Sequence, residues 1–89
     1  MRKKLNLQDL MEKKENNEKV YAVIDQTKGD WFEDIFSSEK EAIDYADYEW
    51  GIMTESDKAY RIAYFIAVGE VDEDGAFDQN TCDVLKEYK

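Results

Sequence analysis

One segment in the middle of this 89-residue chain limits the possible folds more than any other. Residues 59–71 (AYRIAYFIAVGEV) alternate large side chains such as Ile62 and Tyr64 with smaller ones such as Ala63 and Ala67, so that both alternating faces are apolar. A strand with one solvated face carries polar residues at every second position, whereas a strand covered on both sides is apolar almost throughout. The segment therefore predicts a central strand with cover on both faces of its sheet.

The residues before this segment predict a hairpin and a helix. Residues 19–26 are rich in β-branched and aromatic side chains, and a turn at 27–30 leads to residues 31–36 (WFEDIF), which is the pattern of a hairpin. Ser37 and Ser38 then precede a glutamate-rich turn, which favours a helix because serine caps the N-terminus and carboxylates suit the positive end of the dipole. Helical spacing assigns Ile43, Ala46, Trp50 and Met53 to the core side, and Glu41, Asp44, Tyr45 and Tyr48 to the opposite side.

The N-terminal residues predict a helical extension. Residues 1–18 have the pattern of an amphipathic helix with Asn6 as its N-cap. Its apolar side carries Leu7, Leu10 and Met11. The chain is too short for a second core, so residues 19–89 are expected to form a single acidic domain.

The C-terminal residues predict a turn and a last helix. The turn is the acidic, glycine-containing stretch 72–75, and Thr81 is placed to cap a short helix after it. This helix would contain Val84, Leu85 and Tyr88. The predicted fold class is α+β, a small three-stranded antiparallel sheet with helical cover in the order α-β-β-α-β-α.

The charge balance excludes several classes of partner. The chain has 12 lysines and arginines against 22 aspartates and glutamates, a net charge of −10. Binding to phosphate backbones and to anionic membranes depends on lysine and arginine, so neither nucleic acid nor a membrane is expected as a direct partner. The longest apolar run is far too short to cross a bilayer, and a single cysteine fits a reducing compartment, so we expect a cytoplasmic location.

Catalysis and metal binding have little support in the sequence. The absence of histidine excludes the common nucleophile–base pairs, and Cys82 is followed by Asp83, whose charge opposes formation of a thiolate. Residues 70–78 resemble an EF-hand loop, but Glu70 takes the first ligand position and Thr81 the twelfth, where a glutamate is required. We therefore predict no enzymatic activity, no cofactor and no metal site, with weak adventitious calcium or magnesium binding as the alternative for this turn.

Acidic residues form two candidate partner-binding surfaces. On the predicted central helix, carboxylates spaced three residues apart repel one another, yet tyrosines lie among them, a combination suited to a partner rich in arginine and lysine. The same pattern is also compatible with a merely solvated helix face. The first predicted surface consists of Glu33, Asp34, Glu41, Asp44, Tyr45, Asp47 and Tyr48. The second consists of Asp72, Glu73, Asp74 and Asp78.

Three segments of the chain carry a resemblance to known proteins. YAVID, SSEKEAIDYADYEW and AYFIAVGEVDEDG, within residues 20–78, resemble small, acidic, uncharacterised proteins of phages and mobile elements of low-GC Gram-positive bacteria. The resemblance includes no catalytic motif and implies a genetic setting in which host defence nucleases are natural targets.

The leading functional hypothesis is a non-enzymatic inhibitor that mimics nucleic-acid phosphates. Its carboxylates would occupy the basic groove of a nucleic-acid-binding protein, a host defence nuclease in an anti-CRISPR or anti-restriction role. The alternative is an accessory or regulatory module of a mobile element that binds its partner through the N-terminal helix and uses its acidity only to stay in solution.

Overall fold

The computed structural model of the protein describes residues 4–89, which form three helices and four strands in an α+β arrangement. In chain order the elements are α1 (Leu7–Glu15), β1 (Val20–Thr27), β2 (Trp31–Phe36), α2 (Glu39–Ile52), α3 (Glu55–Tyr60), β3 (Arg61–Gly69) and β4 (Asp83–Glu87). The four strands form one antiparallel sheet in the order β2-β1-β3-β4. Among these residues no helix combines the length and the apolar character that crossing a bilayer requires.

The predicted three-stranded sheet and C-terminal helix are both wrong. The segment that Thr81 was expected to cap as a helix is instead strand β4, so the element order is α-β-β-α-α-β-β. Val84 has a high strand propensity, and Leu85 is tolerated in strands. The outer edge of β3 offers backbone hydrogen-bond partners along Phe65–Val68. Pairing with this edge satisfies backbone groups that an isolated short helix would leave to water.

A third helix also lies where the sequence suggested only a polar connection. Thr54 caps α3 through its hydroxyl, which accepts a hydrogen bond from the backbone N–H of Asp57 at 3.1 Å. The Asp57 carboxylate in turn accepts one from the backbone N–H of Thr54 at 3.0 Å, which completes a capping box. The helix displaces the start of the predicted strand, so β3 begins at Arg61 rather than at residue 59.

The sheet is covered on both faces, as the apolar alternation of β3 predicts. On one face, alternate residues of β1 and β3 pack against α1 and the loop that follows β3. This cluster contains Leu10, Val20, Ala22, Ile24, Ile35, Ala67, Val71 and Phe77. On the other face α2 covers a second cluster, formed by Val23, Phe36, Ala42, Ala46, Tyr64 and Ile66. Full burial of side chains such as Phe36 and Ile24 stabilises the fold by roughly 1.5–3 kcal/mol each.

Helix α1 packs on the sheet rather than extending from it. Asn6 caps it as predicted, with its side chain accepting a hydrogen bond from the backbone N–H of Asp9 at 2.9 Å. Leu10 is buried in the first core cluster, and Leu7 lies against Gly75, which has a positive φ of 82°. The apolar side of α1 is therefore only partly buried, since Leu7 and Met11 remain exposed.

Helix α2 begins after Ser38, as predicted, but its buried side differs from the predicted one. Ala42 and Ala46 are fully buried, and their small side chains let the helix lie close to the sheet. The close approach brings the ring of Tyr45 to 5.2 Å from that of Phe36, so the prediction that Tyr45 faces solvent is wrong. Of the four residues predicted to face the core, Ala46 is fully buried as predicted, and Ile43, Trp50 and Met53 pack against this cluster but are only partly buried.

Candidate partner-binding surface

The outward side of α2 carries four of the predicted site residues, Glu41, Asp44, Asp47 and Tyr48, which we call the α2 outer face. Lys40 Nζ lies 2.9 Å from Asp44 Oδ2, one helical turn away. Glu41 Oε1 accepts hydrogen bonds from the hydroxyls of Ser37 and Ser38 at 3.0 and 3.1 Å. Tyr48 is 53% exposed, so an aromatic ring stands in solvent among these carboxylates.

Asp47 is held in place from strand β4. Its Oδ1 accepts a hydrogen bond from the Tyr88 hydroxyl at 2.6 Å and one from Lys86 Nζ at 3.1 Å. These bonds, with that of Tyr88 first, hold the pKa of the Asp47 carboxyl below its usual range. The carboxylate therefore remains charged and oriented, and it lies on the β4 side of the α2 outer face.

Asp34 and Tyr45 lie together between β2 and α2. The Tyr45 hydroxyl donates to Asp34 Oδ2 at 2.8 Å, and Lys4 Nζ lies 3.2 Å from Asp34 Oδ1. The same lysine nitrogen lies 5.0 Å from the centre of the Tyr45 ring. Burial, followed by the bond and charge of Asp34, raises the pKa of Tyr45 well above 10. The Asp34 carboxylate is thus held beside α2 by the hydrogen bond from the Tyr45 hydroxyl.

Glu33 lies on the opposite face of the sheet from Asp34, so the prediction of one surface containing both is wrong. Successive side chains of a strand point to opposite faces, and Glu33 is opposite Ile24 of the first core cluster. Its Oε2 accepts a hydrogen bond from Gln79 Nε2 at 3.3 Å. Burial raises the pKa of Glu33; the bond from Gln79 opposes this, and the charge of Asp72 adds to it. Glu33 therefore belongs with the second predicted surface.

The second surface is a loop whose carboxylates partly serve its own backbone. Asp72 Oδ1 accepts hydrogen bonds from the backbone N–H groups of Asp74 and Ala76, both at 2.9 Å. Asp78 Oδ1 accepts one from the backbone N–H of Asn80 at 2.9 Å. Glu73 and Asp74 have exposed side chains. Within residues 4–89 no group of three or more histidine, cysteine, aspartate or glutamate side chains is placed to hold a metal ion.

The two acidic surfaces meet along the edge of the sheet formed by β2. Phe32 and Asp34 point toward α2, and Trp31 and Glu33 point toward α1 and the acidic loop. Phe32 is 55% exposed and Trp31 is 40% exposed, and neither was among the predicted site residues. The signal was present in the sequence, since two adjacent aromatic residues directly after a hairpin turn must include one on each face.

A cavity of about 380 Å³ lies at the other side of α2, between α3 and the ends of β3 and β4. Its aromatic wall is Trp50, stacked at 5.5 Å on Tyr64 and tilted at 5.7 Å to Tyr88. Its cations have partners, because Lys58 lies over the Trp50 ring at 5.0 Å and Arg61 pairs with Asp25 at 3.2 Å. Glu55 and Lys89 also line the cavity, so its wall carries charges of both signs, and the acidic edge remains the better candidate site.

Comparison with known proteins does not add to this description. No protein-family model matches the chain, and searches of curated proteins and of solved structures find no significant match.

Proposed function

We propose that this protein is a non-enzymatic inhibitor whose carboxylates substitute for nucleic-acid phosphates in the basic groove of a partner protein. The observation that carries the proposal is the surplus of carboxylates. Even if every one of the 12 basic side chains neutralised one acid, ten of the 22 carboxylates would keep their full charge. Three of the acids that line α2 and the β2 edge, Asp34, Asp44 and Asp47, pair with lysines, so the excess is a property of the chain as a whole to which these acids contribute.

The α2 outer face has the form that such a function needs. Glu41, Asp44 and Asp47 lie along roughly 9 Å of one helix, at 1.5 Å per residue. The helix is rigid and anchored at both flanks, by Tyr45 on Asp34 and by Tyr88 on Asp47. Fixed carboxylates lose little conformational freedom on binding, and a concentrated negative field speeds association with a basic groove. The exposed Tyr48 ring adds contact area among the charges, as anchor residues of interfaces do.

The resemblance to phage and mobile-element proteins gives the proposal its specific form. A mobile element entering a bacterium meets nucleases that bind nucleic acid through arginine and lysine. An acidic protein that occupies such a groove blocks the nuclease without any chemistry of its own, which is an anti-CRISPR or anti-restriction role. We accordingly propose a host defence nuclease as the target.

The packing of α1 favours this proposal over binding through the N-terminal helix. Leu10 is buried in the core, and Leu7 packs against Gly75 of the acidic loop. A partner could contact Leu7 and Met11, which are 63% and 37% exposed, but it could reach Leu10 only by detaching the helix and exposing part of the first core cluster. The acidic surfaces, in contrast, are accessible without any rearrangement.

The experiment is capture followed by competition with DNA. The immobilised protein is exposed to a lysate of a Gram-positive host at about 50 mM and about 500 mM salt, since phosphate-like contacts weaken steeply with salt. Each protein that is retained only at low salt is purified and tested for binding to DNA with and without this chain. The proposal expects a nucleic-acid-binding protein whose DNA this chain displaces. It is contradicted if the retained proteins do not bind nucleic acid, or if bound DNA and this chain do not compete.

A further inference from the structure

Strand β2 forms one edge of the sheet, and its backbone has a defined outward side. No strand of residues 4–89 lies beyond β2 in the sheet. At the hairpin turn, the backbone N–H of Thr27 donates to the carbonyl oxygen of Asp30 at 2.8 Å. The backbone groups of Asp30 therefore point toward β1. In an antiparallel pair alternate residues share a direction, so Phe32 and Asp34 also bond inward, and Trp31 and Glu33 direct their N–H and C=O groups away from the sheet.

The N-terminal segment of the chain already uses the next position of this edge. The backbone N–H of Leu5 donates to the carbonyl of Ile35 at 2.7 Å, which confirms that Ile35 is an outward residue like Glu33 and Trp31. Lys4, the residue beside it, pairs with Asp34 at 3.2 Å and lies over the Tyr45 ring. Part of the edge is therefore occupied by an extended segment that makes one backbone bond and one lysine–carboxylate pair.

The side chains around the two remaining outward residues suit a basic strand. An added strand would place alternate side chains on both faces of the sheet. On one face they would meet Asp34 and Phe32, and on the other Glu33 and Trp31 with Asp72 close behind. The face of Glu33 thus offers a carboxylate for an arginine or lysine, whereas Asp34 on the other face is already paired with Lys4. Each face offers an exposed ring over which a cation or a methylene chain can lie.

The opposite edge of the sheet also has exposed carboxylates, Asp83 and Glu87, but strand β4 carries no aromatic side chain and its pairing is irregular. Strand β4 pairs with β3 through a register shift between Ile66 and Ala67, and such irregularities make an edge a poor template for a further strand. Lys86 of β4 adds a positive charge beside this edge, and it is already bound to Asp47. The chain thus protects one edge and leaves the other regular, acidic and aromatic.

We propose that the β2 edge at Trp31–Glu33 binds an extended, lysine- or arginine-rich segment of the partner protein, which adds to the sheet as a fifth strand next to residues 4–5. The inference deepens the proposed function, since it states how the basic partner is held, and it rests on that function for the partner's identity. Backbone bonds to Trp31 and Glu33 align the segment, and the Glu33 carboxylate selects basic side chains on the face that it shares with Trp31.

A peptide of about seven residues that alternates lysine with valine is the probe, because this is the length of a typical strand. The full chain labelled with ¹⁵N is titrated with the peptide, and amide hydrogen exchange is measured residue by residue. We expect exchange of the Trp31 and Glu33 amides to slow at least about tenfold, while the Phe32 and Asp34 amides, already bonded to β1, change little. The control peptide has the same charges and N-methylated backbone amides, and we expect it to bind at least about tenfold more weakly.

Two substitutions at one position separate strand addition from simple charge attraction. Glu33→Gln removes the carboxylate and keeps the outward N–H, whereas Glu33→Pro removes both, at a place where an edge strand tolerates proline. We expect Glu33→Pro to bind the peptide at least about tenfold more weakly than Glu33→Gln, with circular dichroism and melting confirming that each variant is folded. If Glu33→Pro does not fold, the exchange measurement on the unaltered chain decides alone.

Three results would overturn the inference: no binding of the peptide at millimolar concentration, equal binding of the methylated peptide, or binding without slower exchange at Trp31 and Glu33. None of them bears on DNA competition, which is measured with the captured partner. Conversely, protection of the β2 edge by the peptide together with failure of DNA competition would reject phosphate mimicry and retain the strand-addition site.

Discussion

The replacement of Gly75 by alanine tests how α1 and the acidic loop are joined. Gly75 has a φ of 82°, a conformation that costs a residue with a Cβ roughly 1–2 kcal/mol. A Cβ at this position would also lie 2.5 Å from Leu7 Cδ1 and 3.3 Å from Met11 Sδ, but both atoms lie toward the far ends of flexible, exposed side chains that can move aside, so this contact adds less than about 1 kcal/mol. We therefore expect Gly75→Ala to lower the free energy of unfolding by about 1–3 kcal/mol, most of it from the backbone conformation.

Urea denaturation followed by tryptophan fluorescence measures this loss, and a second substitution divides it into its two causes. Leu7→Ala removes the atom that a Cβ at position 75 would approach, so Gly75→Ala should lose at most about 1 kcal/mol less stability in the Leu7→Ala background. Gly29→Ala is the matched control, because a Cβ there has nothing within 4 Å, and it should change stability by less than about 0.5 kcal/mol. A loss at Gly75 no larger than at Gly29 would refute the left-handed conformation of Gly75 in this loop.

The remaining predictions concern α2 and its supports. Gly51→Ala should stabilise the protein by roughly 0.5–1 kcal/mol in the same urea experiment, because Gly51 lies within α2 and has open space around it; a destabilised variant would contradict the described helix. Tyr88→Phe should lower the free energy of unfolding by about 1 kcal/mol, a modest value because Asp47 is half exposed. It should also raise the pKa of the Asp47 carboxyl toward 3.8 in a carbon-13 NMR titration. An unchanged pKa would exclude the hydrogen bond from Tyr88 as the main cause of the low pKa. Burial raises the pKa of Tyr45, Tyr64 and Tyr88 above 10, so the folded state keeps these three protons at a pH at which the unfolded state loses them. The contribution of the three tyrosines to stability is therefore complete below pH 10 and is lost as the pH rises above it. Ultraviolet titration should show Tyr45, Tyr64 and Tyr88 ionising at higher pH in the folded protein than in the urea-unfolded protein, and coincident titration curves of the two states would contradict this.

Much of the fold could be predicted because its signals are local. The Asn6 and Ser38 caps, the turn at 27–30 and the two-sided apolar alternation of β3 each depend on a few neighbouring residues. The capping box of Thr54 and Asp57 was equally available and predicts α3.

Strand β4 could not be predicted in the same way. Val84 and Leu85 remain exposed, so no burial pattern separates strand from helix, and only the free edge of β3, which other parts of the chain create, decides between them.

The candidate site was predicted less completely than the fold. The alternation of side chains along a strand already separates Glu33 from Asp34 and places Trp31 and Phe32 on different faces. The burial of Tyr45 could not be foreseen, because it depends on how closely two alanines let α2 approach the sheet and on the hydroxyl reaching Asp34. Helical spacing fixes the angles between side chains around the helix axis, but tertiary packing decides which side of the helix faces the core.

The most direct test of the central claim compares two variants of equal net charge. Asp44→Asn with Asp47→Asn removes two charges from the α2 outer face, and Glu12→Gln with Glu15→Gln removes two from the exposed side of α1. The concentration of each variant that displaces half of the DNA from the captured partner is then measured, after melting has shown that both are folded. If the carboxylates of α2 stand in for phosphates, the α2 variant needs at least about tenfold more protein and the α1 variant less than about threefold more. Equal displacement by the two variants would show that only total charge matters and would contradict the claim.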